Sequence, residues 1–150
     1  MNYRRGKAAH LRLGRAGERA AARYLELCGC EILARDARTF GGELDIVARD
    51  GGVLLFVEVK TLREKPGFAP AGNLSAAQRR RNRRAALHYM AMLPVRPVAW
   101  RFDLIEVVFR GSRVTTLRRL SVGALELGDL PPGHWRELTP EERAAALRPE

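Results

Sequence analysis

The stretch Gly42-Glu43-Leu44-Asp45-Ile46-Val47-Ala48-Arg49-Asp50-Gly51-Gly52-Val53-Leu54-Leu55-Phe56-Val57-Glu58-Val59-Lys60-Thr61 decides how this chain is read. Glu43 to Ala48 alternates as a strand, Gly51 and Gly52 make a tight turn, and Val53 to Lys60 is a strongly β-prone partner, so the segment is predicted to fold as a hairpin. Side chains alternate across a strand. Glu43, Asp45 and Val47 therefore share one face of the first strand, and Leu54, Phe56, Glu58 and Lys60 share one face of the second. A Gly51-Gly52 turn sets Asp45 opposite Glu58 and Glu43 opposite Lys60; an Asp50-Gly51 turn shifts the pairing by two and keeps the same faces together. Either register brings Asp45, Glu58 and Lys60 onto one surface.

Two carboxylates directly opposite each other, with Cβ atoms about 5 Å apart, destabilise a sheet unless a cation lies between them. Lys60 compensates in part. A divalent ion satisfies both acids at once, and a hard ion such as Mg²⁺ (or Mn²⁺) prefers a few carboxylate oxygens together with water and phosphate. Metal and lysine together suit phosphodiester hydrolysis: the ion polarises phosphoryl oxygens and lowers the pKa of a bound water, while Lys60 stabilises developing charge or orients that water. On spacing alone the bland alternative stands beside this one, a surface Glu43–Lys60 cross-strand pair next to two exposed acids.

Working outward, Leu13 to Cys28 is predicted to be a helix stopped by Gly29, with Leu13, Ala16, Ala20, Tyr24 and Leu27 on one face, followed by a short strand from Cys30 to Ala34. Projected at about 100° per residue, Arg12, Arg15, Arg19, Arg23 and Glu26 fall in one charged sector, whereas Glu18 lies among Gly14, Ala21, Ala22 and Leu25, where small residues allow close approach to another layer. Glu18 is thus either a partly buried acid paired with Lys60 or an arginine, or a further member of the metal site. After the hairpin, Pro66, Gly67, Pro70 and Gly72 punctuate a loop, and Leu74 to Leu93 reads as a helix ending before Pro94. Its middle carries Arg79, Arg80, Arg81, Arg83 and Arg84. Trp100 to Phe109 and Val114 to Leu120 form a second strand pair around Gly111.

The order α-β-β-β-α-β-β predicts an α/β (α+β) domain with a mixed sheet flanked by helices. Residues 1–120 make that domain, opening with a basic arm over 1–10. Residues 121–150 form an appendage in which Gly128, Pro131, Pro132 and Gly133 lead to a short helix opened by Thr139, Pro140 and Glu142.

Composition narrows the partner. Among 150 residues, 27 Lys and Arg stand against 17 acids, a net charge of +10, which favours a polyanion, nucleic acid by default. The longest apolar run, Val53 to Val57, is far short of the roughly 20 residues a membrane span takes. No apolar segment follows Arg4, Arg5 and Lys7, so a cytoplasmic location without membrane attachment is expected. The two cysteines, Cys28 and Cys30, are too few for a four-ligand zinc site and read as reduced, partly buried packing residues.

Gly17-Glu18 before an alanine-rich helix, Gly42-Glu43-Leu44-Asp45-Ile46-Val47, Phe56-Val57-Glu58-Val59-Lys60-Thr61 and Arg101-Phe102-Asp103, in this order, resemble the bacterial YraN-like family. That family is similar in fold to restriction endonucleases and archaeal Holliday-junction resolvases and belongs with the PD-(D/E)xK nucleases. The resemblance covers about Leu11 to Leu120. It implies a restriction-endonuclease-like sheet, with Asp45 and Glu58 as the two motif acids, Lys60 as the motif lysine, Glu18 as the helix glutamate of resolvase-like members, and Val59 offering a backbone carbonyl to the metal. Glu43 and Asp103 match family motifs in accessory positions. Leu44 stands where the formal motif has proline, and Gln78 where related sequences often carry lysine, with Arg79 beside it. Resolvase-like relatives work as dimers, so the resemblance also implies a homodimer, although no self-association face is identifiable in the sequence.

Three functions follow as expectations. The first is a metal-dependent endonuclease or resolvase-like enzyme on DNA, its arginine helix and basic arm gripping the phosphate backbone. The second is a non-catalytic nucleic-acid-binding protein that retains the nuclease fold. The third is a basic partner protein in a ribosomal or replication assembly.

Overall fold

The computed structural model describes residues 3–65, 74–122, 125–126 and 139–146. Helix α1 spans Tyr3–Leu27, strands β1, β2 and β3 span Glu31–Thr39, Gly42–Asp50 and Val53–Arg63, and helix α2 spans Ala76–Ala91. Strands β4 (Ala99–Arg110), β5 (Arg113–Val122) and β6 (Leu125–Glu126) follow, then helix α3 (Pro140–Ala146). The six strands form one sheet in chain order. All neighbours are antiparallel except β3 and β4, and that parallel pair needs a crossover, which α2 supplies. The mixed α/β architecture expected from the element order is the one observed.

The sheet is covered on both faces. Ile46, Ala48, Leu55, Val57, Ile105 and Val107 pack on one side against Ala21, Ala22 and Leu25 of α1. Leu44, Val47, Leu54 and Phe56 pack on the other against Ala85, Ala86 and Met90 of α2. This explains why β3 reads as a nearly continuous apolar run: a strand buried on both faces has no polar side to show. On the α2 side, Phe56 forms an aromatic cluster with Tyr89, Trp100 and Phe102, ring centroids 5.7 to 6.0 Å away.

Several boundaries differ from the sequence expectation. α1 begins at Tyr3, ten residues before Leu13, because the basic stretch is rich in Lys, Arg and Ala, all good helix formers. Its deepest face is the small-residue sector: Ala21, Ala22 and Leu25 are buried, Leu13, Ala16, Ala20 and Tyr24 flank them, and Leu27 is 73% exposed. β1 runs on to Thr39 rather than stopping at Ala34. α2 begins at Ala76 behind the N-cap Ser75, and a capping box joins Ser75 and Gln78. Of the two free cysteines, Cys30 is buried and Cys28 is exposed, so only Cys30 is a packing residue.

Past residue 120 the sheet continues through β6, which pairs with the end of β5. Thr139 caps α3, its Oγ1 accepting the Glu142 N–H at 3.2 Å while the Glu142 carboxylate accepts the Thr139 N–H at 2.9 Å. The loop carrying Pro66, Gly67, Pro70 and Gly72, and the stretch with Gly128, Pro131, Pro132 and Gly133, lie outside the described residues. No described helix is long and apolar enough to cross a membrane.

Candidate active site at the fork of the hairpin

Asp50 pairs with Val53 across a Gly51-Gly52 turn, and the β2–β3 ladder runs through Arg49↔Leu54, Ala48↔Leu55 and Val47↔Phe56 to Ile46↔Val57. Beyond that rung β2 and β3 separate. β3 continues beside β4 as far as Arg63↔Phe109, while β2 continues beside β1 to Gly42↔Thr39. Asp45 stands at the fork, in the position facing Glu58. Its Oδ2 accepts the Val59 N–H at 2.8 Å, so a side chain supplies the hydrogen bond that the diverging backbone no longer offers.

Strict alternation fails at this point. Leu44 and Val47 both belong to the α2-side core, and Ile46 between them to the α1-side core. The break coincides with Asp36 on β1, which lies opposite Asp45 between the rungs Arg35↔Ile46 and Ala37↔Leu44 and has φ of +50°, a left-handed conformation that Asp tolerates better than most residues. Asp45 is thereby separated from its expected face-mate Val47. It lines a cleft of about 520 Å³ with Gly14, Arg15 and Glu18 of α1, Asp36 and Arg38 of β1, and Glu43.

The other two motif residues lie toward α2. Glu58 is half-buried, and its Oε2 accepts a hydrogen bond from Asn82 Nδ2 of α2 at 3.0 Å. Lys60, two residues along β3, is in register with Glu106 of β4, a residue only 1% exposed, and Glu106 in turn faces Arg118 of β5. The fork thus gathers Asp45 from the α1 side and Glu58 and Lys60 from the α2 side, where a single flat face was expected.

Burial pushes the Asp45 carboxyl up to about 7, with Glu58 the strongest charge acting in the same sense and Glu18 and Glu43 adding to it; the Val59 N–H works against them. Glu18 is also raised, first by burial and then by the charge and hydrogen bond of Asp36, against the pull of Arg35. A strongly basic chain has concentrated carboxylates in one place. Glu18 reaches this place because the α1 backbone at Gly17 sits directly on the Thr61 side chain of β3: a Cβ added at Gly17 would lie 2.8 Å from both Cβ and Cγ2 of Thr61. Gly17 precedes Glu18, and Thr61 follows Lys60.

Among the described residues no three His, Cys, Asp or Glu side chains converge to hold an ion by themselves. The donors at the fork are the carboxylates of Asp45 and Glu58, with the Val59 backbone beside Asp45. Such a set fits a hard divalent ion that keeps several waters and takes further oxygens from a phosphate. Asp45, pushed toward protonation by burial and then by its neighbour Glu58, is the group such a charge would relieve.

The accessory candidates have other partners. Glu43 forms an exposed ion pair with Arg38 at 3.8 Å. Gln78 Oε1 accepts the Ser75 N–H at 3.0 Å, tying it to the α2 cap. Asp103 is buried on the α1 side, held by Arg101 Nε at 3.2 Å and by Arg119, while Arg101 also reaches Asp50 at 3.1 Å. Arg79, Arg80, Arg81, Arg83 and Arg84 are all exposed; Arg79 donates to the Leu74 carbonyl at 3.2 Å and Arg84 to the Gly41 carbonyl at 2.9 Å.

Asn82, Glu106 and Asp36 are the residues that sequence reasoning missed. Asn82 carried a signal: it is the one uncharged residue in the run Arg79 to Arg84, and its spacing to Ala85, Ala86 and Met90 places it on the buried stripe of α2. Glu106 and Asp36 carried none, because their relevance depends on strand registers.

The family described as Uncharacterised protein family UPF0102 matches residues 17–107, a span that holds every motif residue at the fork. This chain belongs to the UPF0102 family. It is 48% identical over 96 residues to the UPF0102 protein STH1475 of Symbiobacterium thermophilum, covering 64% of this chain and 81% of the relative. A UPF0102 protein of Syntrophotalea carbinolica is 46% identical over 112 residues, 75% of this chain and 87% of its own. One of Chloroflexus aurantiacus is 41% identical over 105 residues, 69% and 84%. UPF0102 is the YraN-like family to which the motifs pointed. The match to this family starts at Gly17, the contact that seats Glu18, and ends just beyond Glu106.

Proposed function

We propose that this UPF0102 protein is a metal-dependent endonuclease or resolvase-like enzyme that hydrolyses DNA phosphodiester bonds. The observation that carries the reading is the fork itself, where Asp45 is held beside Glu58 on a Val59 N–H with Lys60 two residues further along β3. Asp45, Glu58 and the Val59 carbonyl would hold Mg²⁺ or Mn²⁺. When bound, the ion polarises a phosphoryl oxygen and lowers the pKa of a water.

The chain's own groups do the rest. Asn82 fixes the rotamer of Glu58. Lys60 donates to the phosphoryl oxygens as negative charge develops on them, and the buried Glu106 beside it in the sheet anchors the ammonium electrostatically. The exposed arginines of α2 hold the phosphate backbone without reading bases, so affinity falls steeply with salt.

A second reading has one observation in its favour. Among the described residues no three His, Cys, Asp or Glu side chains are arranged to hold an ion by themselves, which suits a nucleic-acid-binding protein that keeps the fold without turnover. Incubation with supercoiled, single-stranded and four-way-junction DNA in Mg²⁺, Mn²⁺ or chelator separates the two. Metal-dependent cleavage that Asp45→Asn and Lys60→Ala each abolish is expected. Cleavage unchanged in either variant removes the proposed site, and metal-independent binding without turnover in any condition leaves the second reading.

A further inference from the structure

We infer that Phe40 is a stacking platform for an unpaired base, which directs the fork to DNA where a duplex meets a single strand. The inference rests on the nuclease reading and names its substrate class. Phe40 and Gly41 form the turn between β1 and β2, closed by the pair Thr39↔Gly42. The turn is fixed from within, since Thr39 Oγ1 accepts the Gly41 N–H at 3.1 Å and donates to the Gly42 carbonyl at 2.9 Å. It is also fixed from below. Gly41 is pressed onto α2 so closely that a Cβ there would lie 2.5 Å from the Arg84 carbonyl oxygen and 2.7 Å from the Ala85 nitrogen, and Arg84 Nε donates to the Gly41 carbonyl at 2.9 Å.

Phe40 nonetheless projects from this anchored tip with 96% of its surface exposed. Burial of so large an apolar ring would stabilise the fold, yet the ring stands in solvent on a backbone that is anchored on both sides. The surroundings choose the occupant. The α2 stripe under the turn carries the exposed residues Arg81, Arg84 and His88, the last with its ring centroid 6.5 Å from that of Phe40. Single-strand binding surfaces combine a cationic groove with an aromatic face, and the chain's net charge of +10 favours a polyanion as the occupant.

The position also fits the proposed chemistry. Gly42 to Asp45 is three residues along β2, about 10 Å at roughly 3.4 Å per residue. A strand stacked on Phe40 therefore starts from the end of the same β1–β2 ribbon that carries Asp45.

The test measures the anisotropy of labelled single-stranded, forked and blunt duplex DNA with the full chain in chelator, so that binding is read without turnover. Phe40→Ala is expected to weaken single-stranded and forked DNA by roughly 5- to 100-fold, the range of one lost base–aromatic stack, and to change blunt duplex affinity less than twofold. Phe40→Trp is expected to keep the affinity, with an added indole emission that single strands quench and duplex does not. Equal losses on all three DNAs, or no loss on any, overturn the inference while metal-dependent cleavage abolished by Asp45→Asn keeps the nuclease reading. A dimer seen by sedimentation that Phe40→Ala dissociates, with DNA affinity unchanged, assigns the ring to a contact between copies and also overturns it. If the wild-type chain binds none of the DNAs, both the inference and the nuclease reading fall.

Discussion

Replacing Asp45 by Asn should stabilise the metal-free protein, and the effect should appear only as pH rises. Asn keeps an oxygen to accept the Val59 N–H and removes the charge that burial and Glu58 oppose. The folded-state pKa is raised from 3.8 to about 7, so the folded chain holds this proton more tightly than the unfolded one. Its contribution to stability is therefore fully present below about pH 4, declines through the window from pH 4 to 7, and is lost above it. Each tenfold change in proton affinity is worth about 1.4 kcal/mol, which sets a ceiling of about 4 kcal/mol on the loss.

Asp45 lies at an open fork where water and side-chain rearrangement relieve part of that, and we expect about 1–2 kcal/mol. At about 2–4 °C per kcal/mol for a domain of this size, Asp45→Asn should melt about 2–8 °C above wild type at pH 8 in chelator. The advantage should shrink by pH 5. Added Mg²⁺ should raise the wild-type midpoint and leave the variant where it was. Differential scanning fluorimetry across pH 5 to 8, with and without Mg²⁺, reads all three. A variant that melts below wild type by the same margin at both pH values would refute the account of Asp45 as an electrostatically strained acid.

Gly17→Ala should destabilise by about 1–3 kcal/mol through overpacking against Thr61, and Thr61→Ala should restore part of the loss in a double-mutant cycle measured by urea unfolding. Ser75→Ala removes the acceptor of the Gln78 N–H and should cost about 1 kcal/mol of stability, read as a lower denaturant midpoint with the slope unchanged. Arg80→Ala and Arg83→Ala together should weaken duplex binding without altering the melting temperature. They should also reduce the slope of log affinity against log salt by about 2, which a salt titration reads directly.

The sequence by itself determined the local elements and the chemistry-bearing ribbon. The apolar run Val53 to Val57, the Gly51-Gly52 turn and the alternation around Ile46 are short-range signals, and the Asp45–Glu58 register follows from turn length alone. Gly29 and Pro94 likewise mark the C-terminal ends of α1 and α2 to within a few residues, because caps and breakers act on their own backbone. What only the tertiary structure decided was which way each group faces and what holds it there. The alternation on β2 breaks between Leu44 and Ile46, beside Asp36 with its φ of +50°, and Asp45 leaves the face of Val47, so the expected flat face is a fork. Glu106 meets Lys60 only through the parallel β3–β4 pairing, whose register depends on the α2 crossover. Asn82 reaches Glu58, and Phe40 stands clear of the surface, because α2 packs against β2 and the Gly41 turn. Contacts between residues distant along the chain carry no local periodicity, and the environment of the site is made of such contacts.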